Sequence, residues 1–90
     1  MGLTRALAND YGPHKIRVNT ITLGYFKTPM TMKSHNSKRR KKKIDSKMII
    51  RRWGEPKDLF GLAEYLLSEK ASYITGQEFI VDGGWLAKGV

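Results

Sequence analysis

The sequence predicts an α/β chain that forms one edge of a larger doubly wound parallel sheet. Three observations predict it. Segments of helical period, 3 to 11 and from Glu55-Pro56 to Leu67, alternate with strand-like segments, 16 to 23 and 77 to 81. The strand, helix, strand portion makes one βαβ unit, which precedent makes right-handed. Phe79-Ile80-Val81 is an unbroken apolar run suited to a strand covered on both faces, yet two parallel strands alone make a poor sheet. The order is helix, strand, basic loop, helix, strand, read as a single partial domain over residues 1 to 90 with no internal repeat.

In residues 3 to 11, Leu3, Ala6, Leu7 and Tyr11 fall at spacings of three and four and line one helix face. Gly12-Pro13 stops this helix, Gly as a left-handed cap and Pro as a residue that cannot continue it. Ile16, Val18, Thr20, Ile21 and Thr22 give 16 to 23 its β-branched character, closed by Gly24. Residues 30 to 52 show no clean period. Within them Lys38-Arg39-Arg40-Lys41-Lys42-Lys43 is expected to repel itself into an extended or mobile form. Glu55-Pro56 opens the second helix, with Asp58 beside its positive end. Leu59, Leu62, Ala63, Leu66 and Leu67 form its apolar stripe. Ser72 to Gly76 is turn-like, and Asp82-Gly83-Gly84 ends the last strand.

Composition narrows the function classes. Cysteine is absent, so no disulfide or thiolate metal site exists, and His14 and His35 are isolated. No apolar run approaches the roughly 18 residues of a membrane span. The start lacks the apolar core of a secretory leader, so a soluble, cytoplasmic protein is the expectation. The net charge of +9 is concentrated. Residues 27 to 52 hold eleven of the seventeen Lys and Arg with Asp45 as their only acid, and the remainder is nearly neutral.

Five pieces in register resemble the C-terminal part of the short-chain dehydrogenase/reductase family. They are Leu3-Thr4-Arg5-Ala6-Leu7-Ala8; Ile16-Arg17-Val18-Asn19; Gly24-Tyr25-Phe26-x-Thr28-Pro29; Arg52-Trp53-Gly54-Glu55-Pro56-x-Asp58-Leu59; and Thr75-Gly76-Gln77 with Val81-Asp82-Gly83-Gly84-Trp85. The resemblance implies a Rossmann-type doubly wound sheet, of which this chain is a fragment. It also implies an NAD- or NADP-dependent oxidoreductase acting on a hydroxyl or carbonyl substrate. Residues 30 to 52 would be the variable, substrate-binding loop. The Arg-Trp-Gly and Val-Asp-Gly-Gly-Trp-Leu-Ala pieces are similar to those of sugar-acid dehydrogenases.

By the same resemblance, Gly24, Tyr25, Phe26 and Thr28 are the cofactor-binding residues. The backbone after the Gly and the Thr hydroxyl would hold the nicotinamide carboxamide. A Gly lets backbone approach a flat ring, and a hydroxyl both donates and accepts. Leu23 stands where the family usually has Pro. Asn19 matches a structural Asn and is given no chemistry. Trp53, Trp85 and Tyr65 are read as packing residues. No catalytic or metal-ligating residue is assigned. The Gly-rich phosphate turn, the active-site Ser and Asn, and the catalytic Tyr-x-x-x-Lys are not found in these residues. Tyr11-Gly12-Pro13-His14-Lys15 fits the last pattern by letter, but the pair must share a helix face to couple its charges, and Gly12-Pro13 breaks the helix.

By itself the chain is therefore expected not to catalyse. The alternatives left open are an interaction protein and an inactive remnant of a truncated gene. An interaction protein would use the basic loop on nucleic acid, or join a homo-oligomer or a full-length family subunit. The basic run has no stacking aromatic between Phe26 and Trp53, and no helix-turn-helix or zinc module accompanies it, which argues against nucleic acid.

Overall fold

The computed structural model describes residues 1 to 89. The elements are α1 (Gly2–Tyr11), β1 (Thr20–Leu23), α2 (Met32–Asn36), α3 (Lys38–Asp45), α4 (Lys57–Leu67), β2 (Glu78–Val81) and α5 (Trp85–Lys88). Short 3-10 turns lie at Gly12–His14 and Glu69–Ala71. β1 and β2 form a two-stranded sheet. Thr20 N–H donates to Gln77 O, and Gly24 N–H to Val81 O, so both strands advance together and the pairing is parallel. Contacts divide the chain into two compact units, residues 1–22 with 60–80, and residues 23–59 with the chain from 81 onward.

In the first unit, the covered side of α1 is Thr4 and Ala8, not the expected stripe. Leu3 is 74% exposed, and Ala6 and Tyr11 are also exposed. The reason is close approach. A Cβ on Gly76 would lie 3.6 Å from the Ala8 Cβ, a spacing that only small residues permit. The Thr4 and Thr20 hydroxyls bond each other beneath the helix. The stop of α1 also differs from expectation. Gly12 is right-handed, and the left-handed residue is Lys15, at φ 62°. Ile16 N–H then bonds back to Tyr11 O.

The first strand is shorter than its composition predicts, because side chains carry its early rungs. Val18 N–H donates to Thr75 Oγ1 and accepts at its carbonyl from Gly76 N–H. Asn19 clamps the opposite segment twice, donating from Nδ2 to Ile74 O and accepting Gln77 N–H at Oδ1, both at 3.1 Å. Arg17 reaches Ser68 O and Ile74 O. Regular pairing begins only at Thr20. The structural role expected for Asn19 is thus a bridge that replaces one ladder hydrogen bond. On β2, Ile80 is 46% exposed, so one face of the apolar run is uncovered among the described residues.

The second unit has a core of Phe26, Met48 and Trp53. Phe26 and Gly54 form a parallel bridge, with Lys27 N–H donating to Gly54 O and Gly54 N–H to Tyr25 O. The basic stretch corrects the expectation of an extended form, because residues 38 to 45 are helical. Ser37 accepts Arg40 N–H as an N-cap, and Lys41 pairs with Asp45 one turn later at 2.7 Å. A cap and an i,i+4 pair hold the helix against its own repulsion. Asp82 closes β2 and starts α5, accepting Gly84 N–H at Oδ1 and Leu86 N–H at Oδ2. The sequence reading had no helix there.

α4 begins where Glu55-Pro56 placed it. Leu59, Leu62, Ala63 and Leu66 are half-buried as the stripe predicts, but Leu67 is 86% exposed.

Candidate functional site

β1 runs into a turn that opens on Gly24. Gly24 lies so near the end of β2 that a Cβ on it would be 2.8 Å from the Asp82 Cα. Only glycine fits between those backbones. The chain then runs along Gly54, where the Phe26 ring fills the space a Cβ would take, 2.7 Å from it. The bridge to Gly54 uses Tyr25 O and Lys27 N–H. The amides of Tyr25 and Phe26 donate to nothing among the described residues. They are two neighbouring donors at the end of a parallel strand, the edge where ligands of open α/β sheets bind.

Thr28 follows, half-buried. Its N–H donates to Thr31 Oγ1 at 2.9 Å, its hydroxyl stands 3.2 Å from Thr31 Oγ1, and its carbonyl accepts from Thr31 and Met32 N–H. Thr31 Oγ1 also donates to Phe26 O. Thr31 thus ties the loop across Phe26 and Thr28 and fixes the Thr28 side chain. The sequence reading missed it. A hydroxyl three residues after the Thr of Thr28-Pro29 is the signal that could have found it.

A cavity of about 140 Å³ adjoins the turn, lined by Tyr25, Phe26, Met48, Ile50, Arg52 and Asp58 among others. That is below the several hundred Å³ of a typical cofactor or ligand pocket. Tyr25 packs between two indoles, 5.3 Å from Trp53 and 5.0 Å from Trp85 between ring centres. Both tryptophans are packing residues, as expected, and Tyr65 hydrogen-bonds to Lys70 O.

The cavity's rim is an ion pair. Arg52 grips Asp58 with two bonds, of 2.9 and 3.1 Å, and Asp58 also accepts Glu55 N–H at 2.8 Å at the start of α4. The Arg52 bonds, then the Glu55 amide, pull the Asp58 carboxyl down to about 2. The same pair raises Arg52. Glu55 is lowered by Lys27 and, less, by Lys57. A depressed carboxyl stabilises the fold above its unfolded pKa of about 4, and that contribution is lost as pH falls through about 2. Asp58→Asn is therefore expected to lower the thermal midpoint by the same amount from neutral pH down to about 5. The gap should then narrow between about pH 4 and 2. A thermal series followed by circular dichroism reads it.

Tyr11 and Lys15 do not share a helix face, since one ends α1 and the other is left-handed beyond the 3-10 turn. Among the described residues no group of three or more His, Cys, Asp or Glu could hold a metal, and no helix is long and apolar enough to cross a membrane.

The parallel pairing, the glycine-opened turn after β1 and the helix between the strands define a Rossmann-type α/β protein. The family model described as Enoyl-(Acyl carrier protein) reductase matches residues 1–86. The chain belongs to the short-chain dehydrogenase/reductase family. It is 43% identical over 88 residues to 2-dehydro-3-deoxy-D-gluconate 5-dehydrogenase of Dickeya dadantii (strain 3937), covering 98% of this chain and 35% of that one. A solved 4-hydroxyisoleucine dehydrogenase complexed with NADH superposes with a TM-score of 0.91 at 40% identity, over 96% of this chain and 35% of that one. A solved Agrobacterium tumefaciens chain with bound NADP superposes with a TM-score of 0.89 at 41% identity, over 96% and 35%. The chain spans about a third of the length of the relatives it matches.

Proposed function

We propose that this chain forms the C-terminal part of the nicotinamide and substrate site of an NAD- or NADP-dependent oxidoreductase. Its substrate is a hydroxyl or carbonyl compound of the sugar-acid kind. The observation that carries the reading is the pair of amides on Tyr25 and Phe26, which have no partner among the described residues, beside Gly24 and the positioned Thr28 hydroxyl. A carboxamide needs both donors and acceptors, and this turn offers both. The relatives' names, a ketodeoxygluconate dehydrogenase and structures with NADH or NADP, support the class of substrate and cofactor.

In this reading the Tyr25 and Phe26 amides and the Thr28 hydroxyl hold the carboxamide and orient the ring. Residues 30 to 52 border the substrate, and the buried aromatic cluster beneath Tyr25 keeps water from that side. When bound, the nicotinamide supplies the hydride acceptor or donor. The proton-transfer groups and the pyrophosphate cradle come from outside residues 1 to 89, and the small cavity is completed by the same part of the protein.

The test is a chimera carrying this chain in place of the corresponding third of the Dickeya dadantii dehydrogenase. The expected result is NADH or NADPH turnover, with Thr28→Val raising the KM for the cofactor about tenfold, the loss of one good hydrogen bond. A folded chimera that binds neither cofactor overturns the reading. The 90-residue chain alone is expected to oxidise no NADH with the same substrates.

A further inference from the structure

The six-residue basic run is placed by the fold in a way its sequence does not announce. At 100° per residue, Lys38, Lys42, Arg39, Lys43 and Arg40 occupy a continuous arc of about 200° on α3. All five are exposed. The remaining three residues, Ile44, Lys41 and Asp45, fill the other arc, and all three are half-buried. Lys41 is neutralised by Asp45 at 2.7 Å. Arg40 makes one long contact, 3.4 Å to Ser34 Oγ. The helix therefore presents five cations on one side and turns its only acid away from them.

We infer that the outer face of α3 is an electrostatic docking surface for the phosphate backbone of a nucleic-acid duplex. Charge complementarity selects the partner. Eight residues at about 1.5 Å each make a rod of about 12 Å, over which a duplex presents about seven phosphate charges. The face carries no apolar or aromatic residue. An interfacial helix needs an apolar side to enter a membrane, and a single-strand site needs aromatic platforms for its bases. A backbone of regularly spaced phosphates asks for neither. The reading does not depend on the nicotinamide assignment, because no residue of the Gly24–Thr28 turn takes part.

The helix also reports on its own occupancy. Lys38 with Lys42 and Arg39 with Lys43 are like-charge pairs one turn apart, and each weakens the helix in the free chain. A polyanion relieves both.

The experiment is a salt titration of a labelled short DNA duplex with the 90-residue chain, followed by fluorescence anisotropy. Five phosphate contacts predict a slope of log K against log salt of about −4.5, hence a loss of about 500-fold between about 0.05 and 0.2 M. The variant Arg39→Gln with Arg40→Gln, Lys42→Gln and Lys43→Gln keeps good helix formers and relieves repulsion, so it should fold as the parent does. Its slope should fall to about −1. Arg39→Lys with Arg40→Lys should leave the slope unchanged. Helical circular dichroism should rise when duplex is added to the parent. The inference is overturned by a parental slope shallower than about −2, or by a Gln variant that binds as the parent does. Tighter binding to phosphatidylserine vesicles or to poly-glutamate than to duplex at equal salt also overturns it.

Discussion

Trp53→Ala is expected to remove about 3–5 kcal/mol of stability, the range for emptying a buried tryptophan site. A chain of this length has only about 5–13 kcal/mol in all, so at the low end of that range the change unfolds a large share of the population. The argument rests on position. Trp53 is 1% exposed, the largest of the fully buried side chains. Its ring contacts Tyr25 at 5.3 Å and meets His35 edge-on at the same distance. Removing it takes the floor from under Tyr25 and one side of the Phe26–Gly54 bridge. The indole N–H is buried without a partner among the described residues. Both changes remove this unsatisfied donor, so Trp53→Phe should cost much less than the alanine change because the phenyl ring refills most of the site. Urea unfolding of the two variants reads the difference. Equal losses would mean that the phenyl ring recovers none of the packing against Tyr25 and His35.

The elements were legible wherever period and punctuation agreed. α1, α4 and β2 stand within two residues of where apolar spacing, Glu55-Pro56 and Asp82-Gly83 set them. β1 was overread, because β-branched composition cannot show that Asn19 and Thr75 side chains would take over the first rungs. α3 was misread for a related reason. Six adjacent cations repel in an isolated peptide, but Ser37 caps them and Asp45 binds one, and a charge count does not weigh those local contacts. Within the candidate site, Gly24 and Thr28 were visible as residue types. Thr31, Gly54 and the Arg52–Asp58 pair were not visible as partners, since each acts through a contact that only folding creates. The stripe Leu3, Ala6, Leu7 and Tyr11 shows the converse. The sequence correctly marks an apolar face, but among the described residues the neighbours cover the other one.

Gly24→Ala is expected to cost about 1–3 kcal/mol, the range for overpacking a tight contact. The reason is backbone, not conformation. The new methyl would stand 2.8 Å from the Asp82 Cα and Cβ and 3.3 Å from its carbonyl oxygen, and no flexible side chain is there to yield. The ends of β1 and β2 must part, stretching the Gly24 N–H to Val81 O bond of 2.9 Å. Asp82 cannot retreat freely, because its carboxylate holds Gly84 and Leu86 N–H at the start of α5. The Tyr25 and Phe26 amides move with the turn, so in the chimera the cofactor affinity should fall about tenfold or more, since each 1.4 kcal/mol is one decade. Gly61→Ala is the matched control. It lies inside α4 with nothing within 4 Å of the new Cβ, and should stabilise the chain by about 0.5–1 kcal/mol while leaving cofactor binding unchanged. If Gly24→Ala weakened stability but left the cofactor KM intact, the close approach would serve the sheet alone, and the carboxamide would have to be held elsewhere.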